Sequence, residues 1–124
     1  MFVYGSLMAG LEHHDVLAGA RAEGAARTRT AYRLFAVDYY PAAVPGGGGP
    51  LEGELYRVDD DTLAALDAVE DAPELFERVV TALADGSEAF IYVLREERLP
   101  PSGAARPVPG GCWRTWREGQ GSGG

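Results

Sequence analysis

The sequence has a single cysteine, no long apolar run and no excess of basic residues, and each shortage excludes a class of protein. Cys112, the one cysteine among 124 residues, can form neither an internal disulfide nor a cysteine-based zinc site. No stretch of about 18 apolar residues is present, so no membrane-spanning helix is predicted. A formal net charge of −8 would repel nucleic acid and anionic membrane surfaces. We therefore expect neither as a partner.

The composition is typical of one soluble globular domain. Hydrophobic residues make up 46% and charged residues 24% of the chain, and a domain of this size buries roughly two-thirds of its unfolded surface. The first residues lack a basic segment followed by an apolar one, so no secretory signal is predicted. We expect a cytoplasmic monomer or small homo-oligomer, with a single domain over residues 1–118 and a disordered Gly/Ser tail over residues 119–124.

Strand and turn signals alternate along the chain, with one clear helix. Strands are predicted over residues 1–4, 24–30, 32–37 and 51–58, and a hairpin over 78–83 and 89–94. Good helix formers occupy residues 62–70, after three N-cap candidates at 59–61 and before Pro73. A short helix over 14–17 ends near Gly19. Gly53, within a predicted strand, indicates a bulge or a close approach of another backbone.

The first strand stops abruptly at Gly5 and Ser6. Phe2, Val3 and Tyr4 favour a strand, whereas glycine can take backbone angles that are closed to other residues. The N–H groups released by such a turn point the same way and form a concave site for negative charge. The sequence therefore predicts an anion site of main-chain amides at this turn.

Glu70 is a carboxylate on a helix face that should meet the core. With about 100° per residue and Leu63 at zero, Glu70 lies at about −20° and Asp67 at about +40°. The apolar arc on that face contains Leu63, Leu66, Val69 and Ala65. Burial, the neighbouring carboxylate and the helix C-terminus should each raise the pKa of Glu70 into the range useful for proton transfer. Alternatively, the helix frays at Glu70 and the side chain reaches water.

Seven segments follow one another in an order that fits a known family. They are Val3-Tyr4-Gly5-Ser6-Leu7 with Gly10 after it, Tyr40-Pro41, Gly53-Glu54-Leu55-Tyr56, Leu66-Asp67-Ala68-Val69-Glu70-Asp71, Phe76-Glu77-Arg78, Ile91-Tyr92-Val93 and Gly111-Cys112-Trp113-Arg114. With these segments the chain resembles the γ-glutamylcyclotransferase-like family, in particular its small bacterial and γ-glutamylamine cyclotransferase branches. The N-terminal turn combined with the Leu-Asp-x-x-Glu run is the most specific part of the resemblance.

The resemblance implies an α+β fold: a small mixed β-barrel with one or two short helices packed on it and a cavity beside the N-terminal turn. It implies a γ-glutamyl-amine cyclotransferase, in which the α-amine of a γ-glutamyl group attacks its own γ-carbonyl to give 5-oxoproline and a free amine. Glu70 would be the catalytic acid/base, and the backbone of Tyr4, Gly5, Ser6 and Leu7 would hold the small-molecule γ-glutamyl substrate. The reaction needs no metal or organic cofactor. The alternative is a non-catalytic binding module of the same fold.

Arg78 and Tyr92 are further candidates for the substrate-binding site. Arg78 can pair with Glu70 or with Asp67, or remain a solvated charge on a strand. Tyr92 would form a wall of the cavity if the implied fold is right, and would otherwise be an ordinary core aromatic.

Two residues depart from the family pattern near the site and the C-terminus. Phe76 stands where many relatives have Tyr, which removes a hydroxyl that could contact substrate. Cys112 replaces an Asp that is common in the C-terminal element, and it is expected to be a small buried hydrophobe rather than a reactive thiol. Trp113 and Trp116 are interpreted as a C-terminal hydrophobic latch rather than an RNA platform, since the chain has no net positive charge to attract RNA.

Three other features are weak functional signals. Ser6 lacks the surrounding Gly-x-Ser-x-Gly pattern of a nucleophile, so its hydroxyl is assigned to the turn. His13 and His14 are adjacent and would not share a helix face, which argues against a metal site. The glycines at 46–49 are not followed by the Lys-Ser/Thr of a phosphate loop and are predicted to be a flexible connection.

Overall fold

Eight strands and one ten-residue helix make up most of the described chain. The computed structural model describes residues 1–5, 8, 14–17, 19–37, 40–72, 74–100 and 104–116. The elements are β1 Phe2–Val3, β2 Arg21–Arg27, β3 Tyr32–Val37, β4 Tyr40–Pro45, β5 Glu52–Arg57, α1 Asp60–Val69, β6 Phe76–Ala82, β7 Glu88–Leu94 and β8 Ala105–Pro107. Short 3₁₀ turns cover His14–Leu17, Glu96–Arg98 and Pro109–Gly111, and residues 113–116 form a helical turn.

The strands form three antiparallel sheets, ordered β1-β5-β2, β4-β3-β8 and β6-β7. A bridge between Thr28 and Leu83 joins the first sheet to the β6-β7 hairpin, and β7 also lies against β1 and β4. The predicted α+β class is confirmed. Within the described residues, however, the sheets do not close into the mixed barrel that the resemblance implied.

The strand positions agree with the sequence patterns, and of the two alternatives predicted at Gly53 the structure shows only one. β3 covers the predicted residues, and β6 and β7 form the predicted hairpin. The register shift lies in β2, between Ala22 and Gly24, rather than at Gly53. At Gly53 the predicted close backbone approach is confirmed, because a Cβ there would overlap the carbonyl oxygen of Val3.

Helix α1 begins at a side-chain cap. Asp59 has extended backbone angles, and its carboxylate accepts a hydrogen bond of 2.7 Å from the N–H of Thr62. This contact satisfies one of the N–H groups that have no partner in the first helical turn. One of the three predicted N-cap candidates is therefore the cap.

Helix α1 ends at Val69, within one residue of the predicted end at residue 70, and a left-handed turn follows it. Asp71 has a left-handed backbone with φ of 52°. The N–H groups of Ala72 and Asp71 donate to the carbonyls of Asp67 and Ala68, at 2.9 and 3.2 Å. This pair of bonds is the Schellman ending of a helix, in which the left-handed residue is usually glycine. Asp also tolerates that conformation, so the helix stops without a glycine signal in the sequence.

The core lies where the three sheets and α1 meet. Its fully buried large side chains include Phe2, Val44, Leu51, Leu66, Ile91 and Leu94, and burial of such a side chain stabilises the fold by about 1.5–3 kcal/mol. On α1 the predicted apolar arc is too wide, because Val69 is 43% exposed while Leu66 is fully buried. The packed face is centred nearer Leu66 and Glu70, which directs Glu70 inward. No helix among the described residues is both long and apolar enough to cross a membrane.

Candidate active site

A cavity of about 220 Å³ opens beside the end of β1. Its described lining consists of Phe2, Val3, Tyr4, Gly5, Tyr40, Pro41, Val69, Glu70, Asp71, Leu75, Phe76 and Tyr92. The lining is largely apolar, and its two charged side chains are both carboxylates. A concave apolar site with a few convergent polar groups is typical of small-molecule binding.

Glu70 is the residue at the C-cap of α1. Its N–H donates to the carbonyl of Leu66 at 2.9 Å, and its backbone angles are helical. The structure therefore does not show the alternative in which the helix frays at Glu70. Burial raises the pKa of Glu70 from 4.5 to about 7. Burial, rather than the charge of Asp67 that the sequence also indicated, is the cause. A carboxyl that titrates near neutrality can both accept and donate a proton.

Gly5 is required by close packing between the first turn and β4. A Cβ added at Gly5 would overlap Cγ of Pro41. The carbonyl of Gly5 accepts the N–H of Met8 at 3.0 Å, so the chain turns directly after β1. Gly5 is not among the glycines with positive φ, so the predicted need for unusual backbone angles is wrong. Tyr4 and Gly5 line the cavity, whereas Ser6, Leu7 and His13 lie outside the described residues.

Two tyrosines connect the strands around the cavity. The hydroxyl of Tyr4 donates to the carbonyl of Tyr92 at 2.7 Å and accepts the N–H of Ala43 at 3.2 Å. The hydroxyl of Tyr92 donates to Oδ1 of Asp67 at 2.6 Å. Burial raises the pKa of both phenols far above their usual range, so both stay protonated. Tyr92 thus forms a wall of the cavity and is held there at its backbone and at its hydroxyl.

Arg78 pairs with Asp67, which resolves the three alternatives for this residue. Its Nε lies 3.0 Å from Oδ1 of Asp67, and its guanidinium lies over the ring of Phe90, 4.8 Å from the centroid. Arg78 is not part of the described lining of the cavity. The structure therefore places Arg78 beside Asp67, the residue that accepts the Tyr92 hydroxyl.

The sequence reasoning gave no role in the site to seven residues of the described lining: Phe2, Val3, Tyr40, Pro41, Val69, Asp71 and Leu75. Tyr40 and Pro41 stood in a matching segment but were given no role. The ring of Tyr40 packs edge-on against Phe76, with 6.0 Å between centroids, so the position that lacks a tyrosine hydroxyl remains an aromatic wall. Asp71 reaches the cavity because of the left-handed helix ending, for which the sequence contains no clear signal.

The C-terminal residues pack against the sheet rather than the cavity. Trp113 is 3% exposed and stacks on Trp116 with 5.2 Å between ring centroids, as expected of a hydrophobic latch. Arg114 reaches Glu54 of β5 at 3.3 Å. Sγ of Cys112 lies 3.3 Å from Oγ1 of Thr115, and Cys112 is only partly buried.

The family model of γ-glutamyl cyclotransferase, AIG2-like proteins matches residues 1–115. The chain belongs to this family. It is 33% identical over 113 residues to the γ-glutamylcyclotransferase family protein YtfP of Escherichia coli, covering 91% of this chain and 94% of that protein. It is 34% identical over 107 residues to γ-glutamylaminecyclotransferase A of Danio rerio, covering 74% and 66%. The crystal structure of an uncharacterized Pyrococcus horikoshii protein superposes with a TM-score of 0.79 at 27% identity, covering 98% and 95%.

Family membership confirms the resemblance noted in the sequence. It makes the chain an enzyme of the γ-glutamylcyclotransferase type, with a small molecule as its substrate. The cavity beside the N-terminal turn, with Glu70 in its wall, is accordingly the candidate active site.

The burial of Glu70 should make the stability of the protein depend on pH. Its pKa is about 7 in the folded state against 4.5 for the free group, so between these values the folded protein binds more protons than the unfolded chain. The free energy of unfolding should therefore fall as pH rises through this window. The contribution of this one group is at most about 3 kcal/mol.

Glu70→Gln should flatten this fall and leave the variant more stable than the wild type above neutral pH. Urea unfolding of both proteins between about pH 5 and about pH 8 measures the difference. Glu74→Gln, which removes an exposed carboxylate shortly after α1, is the control. An equal flattening in that control would show that burial of Glu70 is not the cause.

Proposed function

We propose that the protein is a γ-glutamyl-amine cyclotransferase with Glu70 as its acid/base residue. The observation that carries this proposal is one largely buried carboxyl with a pKa of about 7, in the wall of an apolar cavity beside the Gly5 turn. The Danio rerio relative, which is named for γ-glutamylamines, supports an amine as the second half of the substrate.

Glu70 can carry all the proton transfers of the reaction. The α-nitrogen of the γ-glutamyl group attacks the γ-carbonyl carbon, forming the ring C–N bond, and the C–N bond to the amine then breaks. The attacking nitrogen changes from an ammonium to a lactam N–H and loses two protons, while the departing nitrogen gains two and leaves as an ammonium. A single carboxyl near neutral pKa can relay each proton from one nitrogen to the other. The products are 5-oxoproline and the free amine.

The cavity promotes ring closure mainly by positioning the substrate. Because nucleophile and carbonyl belong to one molecule, the enzyme has to hold a folded conformation rather than gather two reactants. The apolar walls, Tyr92 among them, exclude water that would otherwise compete with the α-nitrogen.

Main-chain amides at the first turn are proposed to bind the negative charge of the substrate. The backbone of Tyr4, Gly5, Ser6 and Leu7 is assigned this role because consecutive N–H groups at a strand end suit a carboxylate or a developing oxyanion. Support comes from the position of Tyr4 and Gly5 in the cavity wall. The described lining contains no cationic side chain that could take this role instead.

The test is release of 5-oxoproline from a panel of γ-glutamyl amides of small amines, of the lysine ε-amine and of peptides. We expect turnover of at least one γ-glutamyl amine. The N-acetyl derivative of that substrate has no free α-amine and should release nothing. Amine release from the acetylated substrate would indicate hydrolysis instead, and no release from any member of the panel would contradict the proposal.

A further inference from the structure

Side chains from three elements meet at Asp67, which lies beside the cavity but is not part of its described lining. Asp67 lies on α1, Arg78 on β6 and Tyr92 on β7. Oδ1 of Asp67 accepts the Tyr92 hydroxyl at 2.6 Å and lies 3.0 Å from Nε of Arg78. Arg78 and Tyr92 are directly opposite each other in the hairpin register. The hairpin therefore presents both donors to a single carboxylate oxygen.

This arrangement fixes the cavity wall that stands next to Glu70. Tyr92 lines the cavity together with Glu70, and Asp67 holds its hydroxyl while Tyr4 holds its carbonyl. Loss of the Asp67 contact would free one end of the ring and leave a buried hydroxyl to find another acceptor.

Asp67 also lies close to Glu70 along the helix. Residues three apart on a helix have Cβ atoms roughly 5–6 Å apart, so two ionised carboxylates at 67 and 70 would repel each other. The titratable groups facing Glu70 are Tyr4 directly after β1, Tyr40 on β4, Tyr92 on β7, Asp67 on α1 and Asp71 in the turn after it. None of these groups is a cation. Arg78, in contact with Asp67, supplies the compensating positive charge.

We propose that Arg78 is a positioning residue that acts on Glu70 through Asp67. Its guanidinium holds the Asp67 carboxylate against the Tyr92 hydroxyl and compensates a negative charge that would otherwise repel the one on Glu70. The proposal rests on the proposed function only in assigning proton transfer to Glu70. The influence of Arg78 on the protonation of Glu70 does not depend on any substrate.

Arg78→Met tests this role, since methionine keeps much of the length and apolar character of arginine and removes its charge. Without the charge of Arg78, the negative charge of Asp67 should repel ionised Glu70 and raise the titration midpoint of Glu70 by about 0.5–1 pH unit. The midpoint is measured without substrate, by ¹³C NMR of glutamate side-chain carboxyls, with the Glu70 signal identified by its loss in Glu70→Gln. In the enzyme assay the rising limb of kcat/KM against pH should move to higher pH by the same amount. At a fixed pH below the midpoint, kcat/KM should therefore fall by about 3- to 10-fold.

Three further variants separate this role from a merely structural salt bridge. Arg78→Lys keeps the charge and should shift the midpoint less than Arg78→Met does. The double variant Asp67→Asn/Arg78→Met removes both charges and should return the midpoint to the wild-type value. Arg57→Met breaks a surface pair with Glu23, also of 3.0 Å, with the same change in net charge, and should leave the midpoint unchanged.

The proposal is overturned if Arg78→Met shifts the Glu70 midpoint no more than Arg57→Met, or if the double variant keeps the full shift. Absence of 5-oxoproline release together with the expected NMR shift would contradict the proposed function and support the link from Arg78 to Glu70. The two failures are therefore distinguishable.

Discussion

Glu70→Gln should lower kcat/KM for 5-oxoproline formation by about 10²–10⁴-fold, the usual loss when the general acid/base is removed. Glutamine has the same shape as glutamate but cannot accept or release the protons that ring closure moves. Glu70 is the one described group in the cavity wall with a pKa brought near neutrality. Of the neighbouring carboxyls, Asp67 is engaged by Arg78 and Tyr92. Asp71 also lines the cavity but is exposed.

The loss of activity in Glu70→Gln can be distinguished from a loss of folding or of substrate binding. Glu70→Gln should be at least as stable as the wild type above neutral pH, so loss of activity cannot come from unfolding. A γ-glutamyl amine should still raise its melting temperature while remaining intact. Glu74→Gln, at an exposed position, should retain full activity. Activity within tenfold of wild type in Glu70→Gln would mean that another group transfers the protons.

Measuring the melting shift and the integrity of the ligand in one sample decides between the enzyme and the non-catalytic binding module of the same fold. A binding module would show the melting shift with the wild-type protein and leave the ligand uncleaved. If the protein is an enzyme, the wild type should cleave the ligand, and only Glu70→Gln should show the melting shift with the ligand intact.

Helix α1 illustrates how far sequence reasoning reaches into this site. The 3.6-residue period placed Leu63, Leu66 and Glu70 on one face, and that face is the packed one. The period could not locate the centre of the face, because the centre depends on what packs against the helix. The helix lies against the 3₁₀ turn His14–Leu17, and its Asp67 contacts the β6-β7 hairpin through Arg78 and Tyr92. Of these, the 3₁₀ turn is the more distant from the helix in sequence. Val69 was therefore predicted to be buried, yet it is 43% exposed.

The contacts that define the cavity were less accessible to sequence reasoning. The hydrogen bond from Tyr4 to Tyr92 joins residues 88 positions apart, and no local pattern specifies such a pair. The pairing of Arg78 was left open for the same reason, since it depends on the hairpin register relative to α1. The left-handed Asp71 was missed because glycine is the usual signal for that helix ending.

Gly5→Ala should reduce both stability and activity, although it adds a single methyl group. The new Cβ would overlap Cγ of Pro41, and a buried proline ring cannot rotate away as a flexible side chain could. Either β4 or the first turn has to move, and overpacking of this kind costs about 1–3 kcal/mol. Since Gly5 and Pro41 both line the cavity, the movement also displaces the amides proposed to hold the substrate. A misplacement of about 1 Å can lower the rate by about 10²-fold.

Gly49→Ala is the matched control for this substitution. A Cβ at Gly49 would meet no heavy atom within 4 Å, and Gly49 is not among the residues with positive φ. We expect Gly49→Ala to change neither urea unfolding nor kcat/KM. The double variant Gly5→Ala/Pro41→Ala removes the overlapping ring atoms and should regain part of the stability lost in Gly5→Ala alone, which a double-mutant cycle measures. Equal behaviour of Gly5→Ala and Gly49→Ala would show that close packing at the first turn is not what requires glycine at position 5.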